Sequence, residues 1–232
     1  TISQMLAKTR MSELEAKLGE VKQSMISANR SLNKNAWQVL VDGFATTDSD
    51  SNFPTYRLDD AVSLFNASHP SKVTGVAVRS NRVASNAVLS ETSLFSAMRI
   101  IREQLNGRGL PTGFDGRFVL VVPPALEKEA VEITKSTLQS GSADNNVNYY
   151  NGFIDVVGSV YLGAANGGSD TAWYVLALDE MQQSLRYVSL ISPKIEREVD
   201  FDTKASRVSV DGAWAMGYSN FEFAAGSDGT GV

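Results

Sequence analysis

Arg117-Phe118-Val119-Leu120-Val121-Val122-Pro123-Pro124-Ala125-Leu126-Glu127 is the stretch on which the reading of this 232-residue chain turns. Five apolar residues follow one another from Phe118 with no polar residue between them. A strand with one wet face alternates, so an unbroken run of this length predicts a strand covered on both faces. Pro123 and Pro124 have no backbone N–H to give to a ladder, and they end it. Leu126, Ala130, Ile133 and Leu138 then recur at helical spacing, which predicts a helix that closes before Gly141. Strand, stop and helix start thus follow within about a dozen residues.

Upstream of that stretch lies the clearest helix signal. Ser90 is a capping residue and Glu91 favours the first turn, while Leu94, Ala97, Met98, Ile101 and Leu105 form one apolar face. Asn106-Gly107 is the expected stop. Near the N-terminus, Leu14, Leu18, Val21 and Met25 make a second apolar stripe, and another apolar run, Ala36–Phe44, follows Asn33 and Asn35. That helix either docks on its own core or packs against a neighbouring molecule. Between the two helical regions, Thr46–Pro54 is a polar loop and Asp59–Ala87 stays polar and small, with weak alternation at Thr74–Val78. A stretch of that length without regular structure is usually functional or disordered.

Downstream, strands are expected at Phe153–Val160, Ala172–Leu178, Arg186–Ile191, Arg207–Val210 and Tyr218–Phe223, with turns at Asp144-Asn145-Asn146 and near Asp179. No internal repeat and no separating linker is visible, so the expected class is α+β.

Composition narrows the function classes. Apolar residues make up 43% of the chain, and 21 basic against 26 acidic residues leave a formal charge of -5. That balance argues against a dedicated nucleic-acid binder. Cysteine is absent, which removes thiolate nucleophiles, disulfides and cysteine-ligated zinc. No apolar run approaches a membrane span, and Thr1–Arg10 lacks the apolar core of a signal peptide.

Few residues invite chemistry. His69, the single histidine, has Asp59 and Asp60 nearby in sequence, but Asn66-Ala67-Ser68-His69-Pro70 reads as a turn, so a structural role is expected. Glu196, Glu198, Asp200 and Asp202 alternate and would share one face of a strand. They form a solvated acidic face, a salt-bridge strip toward a neighbouring molecule, or a site for a hard cation. Arg79, Arg82, Arg99, Arg102 and Arg108 are candidate opposite charges for such a strip. Gly163–Gly168 lacks the Lys-Ser/Thr that would end a phosphate-binding loop, and no nucleophile elbow of the G-x-S-x-G type occurs. Trp37, Trp173 and Trp214 read as anchors of cores or interfaces. No catalytic residue, cofactor or metal is assigned.

Five blocks in order carry a resemblance: Leu64-Phe65-Asn66-Ala67-Ser68-His69-Pro70; the Ser90–Gly107 helix and its glycine-rich turn; Leu120–Glu127 with Ala130; Val157–Leu162 followed by Ala172–Ala177; and Pro193 with the acidic Glu196–Asp202 stretch. Together they resemble the Mu-like major head (major capsid) subunit family of tailed bacteriophages over about residues 19–223. The N-terminus is shorter than in that family and the middle loop differs. The resemblance implies a capsid fold of the Hong Kong 97 type. It would have an N-terminal helical arm over residues 1–45, an extended loop over 46–89, a peripheral domain with its long spine helix over 90–117, an axial domain over 118–192, and return strands of the peripheral domain over 193–232. It also implies copies of the chain joined as pentamers and hexamers into an icosahedral head around double-stranded DNA, bound without sequence specificity. Scaffold, portal or decoration proteins would be further partners, and assembly would take place in the host bacterial cytoplasm. The competing expectations are an encapsulin-like cellular shell, a minor head or decoration protein, and a soluble α+β enzyme.

Overall fold

The computed structural model describes residues 2–51, 54–57, 62–71, 73, 77–138, 146–199 and 206–231. The chain is α+β. In order it forms α1 (Ile2–Val41), β1 (Thr55–Tyr56), α2 (Glu91–Arg102), β2 (Phe118–Val122), α3 (Pro124–Lys135), β3 (Ile154–Gly158), β4 (Trp173–Ala177), α4 (Leu178–Ser184), β5 (Leu185–Val199), β6 (Ser206–Tyr218) and β7 (Ala224–Ser227), with four short 3-10 turns between them. One sheet has the order β3-β2-β4-β7 and another the order β1-β6-β5.

The chain divides into two compact units. The larger holds residues 37–186 and 216–232, and the smaller holds residues 1–36 and 187–215. The division falls inside α1, β5 and β6.

In the larger unit, all five residues of β2 are buried, as the unbroken apolar run requires. β2 pairs parallel with β3 and antiparallel with β4, and β4 pairs antiparallel with β7. The helix after the prolines starts at Pro124, where a missing N–H costs nothing because the first-turn donors have no helical partner. The Ser90 cap forms as a reciprocal box: its side chain accepts from the Ser93 N–H at 3.2 Å, and the Ser90 N–H donates to Ser93 Oγ at 2.9 Å. Leu94, Ala97, Met98 and Ile101 of α2 share one core with Phe118, Leu120, Val122, Trp173 and Val175. The expected boundary at 117/118, which put the middle helix and the sheet in different domains, is therefore not a boundary between cores. This helix also has only 12 residues, whereas α1 has 40.

Several elements differ from expectation. The apolar stripe from Leu14 and the run that follows Asn33 and Asn35 belong to one helix as far as Val41, and Asn35 is buried within it. α2 ends at Arg102 rather than at Leu105, because Leu105 turns into a bridge with Pro111. Leu138 likewise leaves α3 and bridges Val147. The turn foreseen near Asp179 is α4, with Asp179 and Glu180 as first-turn acids. The strand foreseen at Tyr218–Phe223 is the end of β6 and a turn, and the chain re-enters the sheet at Ala224. Residues 77 and 78 form no strand, and the rest of the expected alternation at 74–76 lies outside the described residues, as do Asp144 and Asn145.

Phe65 shows how the long irregular segment is seated. Its ring is fully buried and lies 4.9 Å from Phe44 and 5.3 Å from Tyr174, centroid to centroid. A Cβ on Gly43 would come within 2.6 Å of the ring, and one on Gly226 of β7 within 2.8 Å. Two bare backbones thus form the slot that the ring fills. Tyr174 sits beside it, its hydroxyl pushed well above the usual tyrosine range by burial and by Asp42.

Two measurements follow from this core. Leu120→Ala empties the centre of the sheet and should lower unfolding free energy by about 2–5 kcal/mol in a denaturant titration. Tyr150 is 3% exposed and donates to the Glu91 carbonyl at 2.9 Å. Burial, Glu91 and Tyr149 push its hydroxyl up to about 12. The unfolded phenol ionises near 10, so above that pH the unfolded state holds fewer protons than the folded one, and stability falls between about pH 10 and 12. Tyr150→Phe should flatten that fall in unfolding curves recorded from pH 9 to 12.

Candidate functional site

Polar residues in the larger unit gather where the irregular segment meets the C-terminal strand. Asn81 is fully buried and uses every polar atom it has. Its Oδ1 accepts from the Asn66 N–H at 2.9 Å, and its Nδ2 donates to the Leu64 carbonyl at 2.7 Å and the Phe221 carbonyl at 3.4 Å. Its backbone N–H donates to the Asn66 carbonyl, and its carbonyl accepts from Gly226. His69 is 1% exposed and stacks flat on Phe221 at 3.6 Å, with its Nε2 3.1 Å from Asn81 Oδ1 and 3.2 Å from the Leu64 carbonyl. Both neighbours are acceptors, so Nε2 carries the hydrogen. The histidine is a buried peg, and it sits in an antiparallel bridge with Arg79 rather than in the expected turn. Asp59 and Asp60 lie outside the described residues.

The candidate arginines have partners in their own chain. Arg79 pairs with Glu222 at 2.5 Å, with both side chains largely buried, and reaches the Leu105 carbonyl at 3.1 Å. Arg82 pairs with Asp228 at 2.6 Å and donates to Asn86 Oδ1 at 2.8 Å. Arg102 lies over the rings of Phe118 and Phe153 at 5.3 and 5.2 Å, a cation–π arrangement. Arg99 makes an exposed pair with Glu103 at 3.5 Å, a kind of contact worth about 0–1 kcal/mol. Arg108 is exposed. Arg79 and Arg82 hold the irregular segment against the C-terminal one, and Arg99 and Arg108 keep their charges on the surface.

In the smaller unit, β5 runs through Tyr187–Val199, and its residues 187–192 are all exposed. Tyr187, Val188, Leu190, Ile191 and Ile195 are from 46% to 75% exposed, so apolar side chains stand free on both faces of one strand. β5 is the edge of its sheet. Glu196 and Glu198 lie on one face and are exposed, and Lys194 pairs with Glu196, which holds the lysine's ammonium above its ordinary range. Asp200 and Asp202 lie outside the described residues. On α1, Leu18 is 55% exposed and Val21 and Met25 are half-buried, so the apolar stripe is covered only in part. The side chain of Leu14 lies outside the described residues. A groove of about 410 Å³ runs between α1 and the ribbon, lined by Ser24, Ser27, Ser31, Pro193, Gly212 and Trp214 among others.

Trp173 is fully buried and donates to the Ala87 carbonyl at 3.0 Å, as befits a core anchor. Gly163–Gly168 forms tight turns, with Ala164 N–H bound to Asp170. Among the described residues no group of three or more His, Cys, Asp or Glu could hold a metal ion, and no helix is long and apolar enough to cross a membrane.

Among curated proteins, none matches this chain. Solved structures that resemble it include a chain of the bacteriophage PhiM1 mature capsid, at 16% identity and a TM-score of 0.39, over 59% of this chain and 46% of that one. Another is the capsid of an empty GTA particle, at 9% identity and 0.45, over 87% and 64%. A third comes from Mycobacterium phage Patience, at 11% and 0.49, over 89% and 64%. The chain thus spans from about half to under two thirds of the length of the chains it matches. The family model described as phage capsid protein matches residues 21–226, nearly the whole sequence. The chain belongs to the phage capsid protein family.

Proposed function

We propose that this chain is the shell-building subunit of a tailed-phage head, and that it works through contacts between copies rather than by catalysis. The observation that carries the reading is the family match across residues 21–226. The surface of the smaller unit supports it. A ribbon with apolar side chains standing free on both faces is marginal in water by itself. An exposed apolar edge strand is also a template for association. In a closed shell the neighbouring copies would cover it. Modest contacts suffice there, because ring closure raises the effective concentration of each further contact.

On this reading the chain adopts the Hong Kong 97 type of arrangement, and we read its two compact units as domains of that arrangement. The larger unit, with its buried four-stranded sheet, is the axial domain that gathers in pentamers and hexamers. The smaller unit is the peripheral domain, and α1, by its length, is the spine helix in place of the 90–105 helix. Packaged double-stranded DNA is enclosed without sequence reading, in keeping with a net charge of -5. The protein resides in the virion after assembly in the host bacterial cytoplasm, with scaffold, portal or decoration proteins as further partners. The acidic strip of Glu196, Glu198, Asp200 and Asp202 faces basic residues of a neighbour. Arg99 and Arg108 are the best suited of the candidates, since Arg79, Arg82 and Arg102 are engaged in their own chain.

Negative-stain microscopy with size-exclusion chromatography of the purified chain tests the proposal. Closed shells, or rings of five and six, are the expected result. A monomer that persists across salt and pH would count against it. Glu198→Lys combined with Asp200→Lys should leave the unfolding curve unchanged yet abolish shells, and normal shells from that variant would rule the acidic strip out as a contact.

A further inference from the structure

Three Asn-Gly pairs occur in the described residues: Asn106-Gly107, Asn151-Gly152 and Asn166-Gly167. Asparagine followed by glycine is the sequence in which a side-chain amide is most open to attack by the next backbone nitrogen, because glycine places no Cβ in the way. Asparagine is a thermolabile residue for related reasons. The three pairs differ in how firmly the folded chain holds the two reacting groups.

At Asn106 the amide oxygen is clamped, accepting from the Arg108 N–H at 2.9 Å and the Leu110 N–H at 3.1 Å. At Asn166 both groups are tied down. The side-chain Nδ2 donates to the Val160 carbonyl at 2.9 Å, and the Gly167 N–H donates to the Ala164 carbonyl at 3.2 Å. Asn151 lies in the turn between Asn148 and Ile154, where both Asn151 and Gly152 are exposed. Among the described residues its side chain makes no hydrogen bond, and the Gly152 N–H donates to nothing, although Asn151, Phe153 and Ile154 on either side each donate to a carbonyl of the same turn. Gly152 has a φ of 78°, and a Cβ placed on it would meet nothing within 4 Å, so the turn has room around the glycine.

We infer that Asn151 is the site of spontaneous deamidation in the folded protein. The Gly152 nitrogen, losing its proton to solvent base, attacks Asn151 Cγ. A C–N bond forms, the side-chain nitrogen leaves as ammonia, and a five-membered succinimide results. Water then opens the ring at either carbonyl. Cleavage of the bond to Cγ restores the normal backbone with an aspartate, and cleavage at the main-chain carbonyl leaves an isoaspartyl linkage. The sum is one water consumed and one ammonia released, with no oxidant, cofactor or second protein involved. Either product puts a new negative charge beside Tyr149 and Tyr150. The inference stands whether or not the chain builds a shell.

The test is peptide mapping with fragment-ion assignment on the whole chain incubated at mildly alkaline pH, in parallel with the same chain in denaturant. In denaturant the three pairs should deamidate at similar rates, since all share the Asn-Gly sequence. In the folded protein, Asn151 should convert several-fold faster than Asn106 and Asn166, and faster at higher pH because the attacking nitrogen must lose its proton. Asn151→Ala should remove that signal and leave the other two unchanged. Equal rates at the three sites in the folded protein, or faster conversion at Asn106 or Asn166, would overturn the inference. So would an Asn151 that stays intact in the folded chain while it converts in denaturant.

Discussion

The larger unit depends on one constraint: β2 has no polar side chain on either face, so both of its faces must be covered. Buried backbone groups demand partners as well, and β2 finds them in β3 on one side and β4 on the other. α2 contributes Leu94, Met98 and Ile101 to the core around the sheet, and α3 contributes Ala130 and Ile133. The order of elements along the chain follows. A parallel neighbour such as β3 needs a crossover connection, and α3 supplies it.

The second constraint is polar. Residues 62–71 and 77–89 have almost no regular structure, and their backbone still needs partners. Asn81 supplies them at the buried end, with His69 pegged beside it and Arg79–Glu222 and Arg82–Asp228 fastening the flanks. A buried amide with all its capacity used is a strong specifier of one arrangement, since every wrong arrangement strands a donor or acceptor. The irregular segment is thus seated without helix or sheet.

How far the sequence disclosed this depends on whether a signal is local. The strand, stop and helix at Phe118–Lys135 were legible because the apolar run and the prolines act within a few residues of one another. The Ser90 cap was legible for the same reason. β7 was not: Ala224-Ala225-Gly226-Ser227 carries no branched or aromatic residue, and it is a strand because it pairs with β4 and leaves space for Phe65. The apolar run after Asn33 and Asn35 proved to continue α1, since asparagine within a helix costs only about 0.7 kcal/mol or less against alanine and a 40-residue helix absorbs that. The arginines were read as charges for a neighbouring molecule, whereas Arg79 and Arg82 find acidic partners in their own chain. Their partners in the same chain lie 143 and 146 residues away, beyond the reach of any spacing argument. Asn81 carried no local signal at all.

Phe65 and its two glycines bear on how this sequence can drift. A side chain acquired at Gly43 or Gly226 collides with the ring, and a smaller residue at Phe65 leaves a void that neither backbone can close. Each single step is expected to strain or loosen the packing around that ring. Two of the three positions lie in the first third of the chain and the third near its end, and packing ties them together. In descendants of this gene they should be found changed together or not at all.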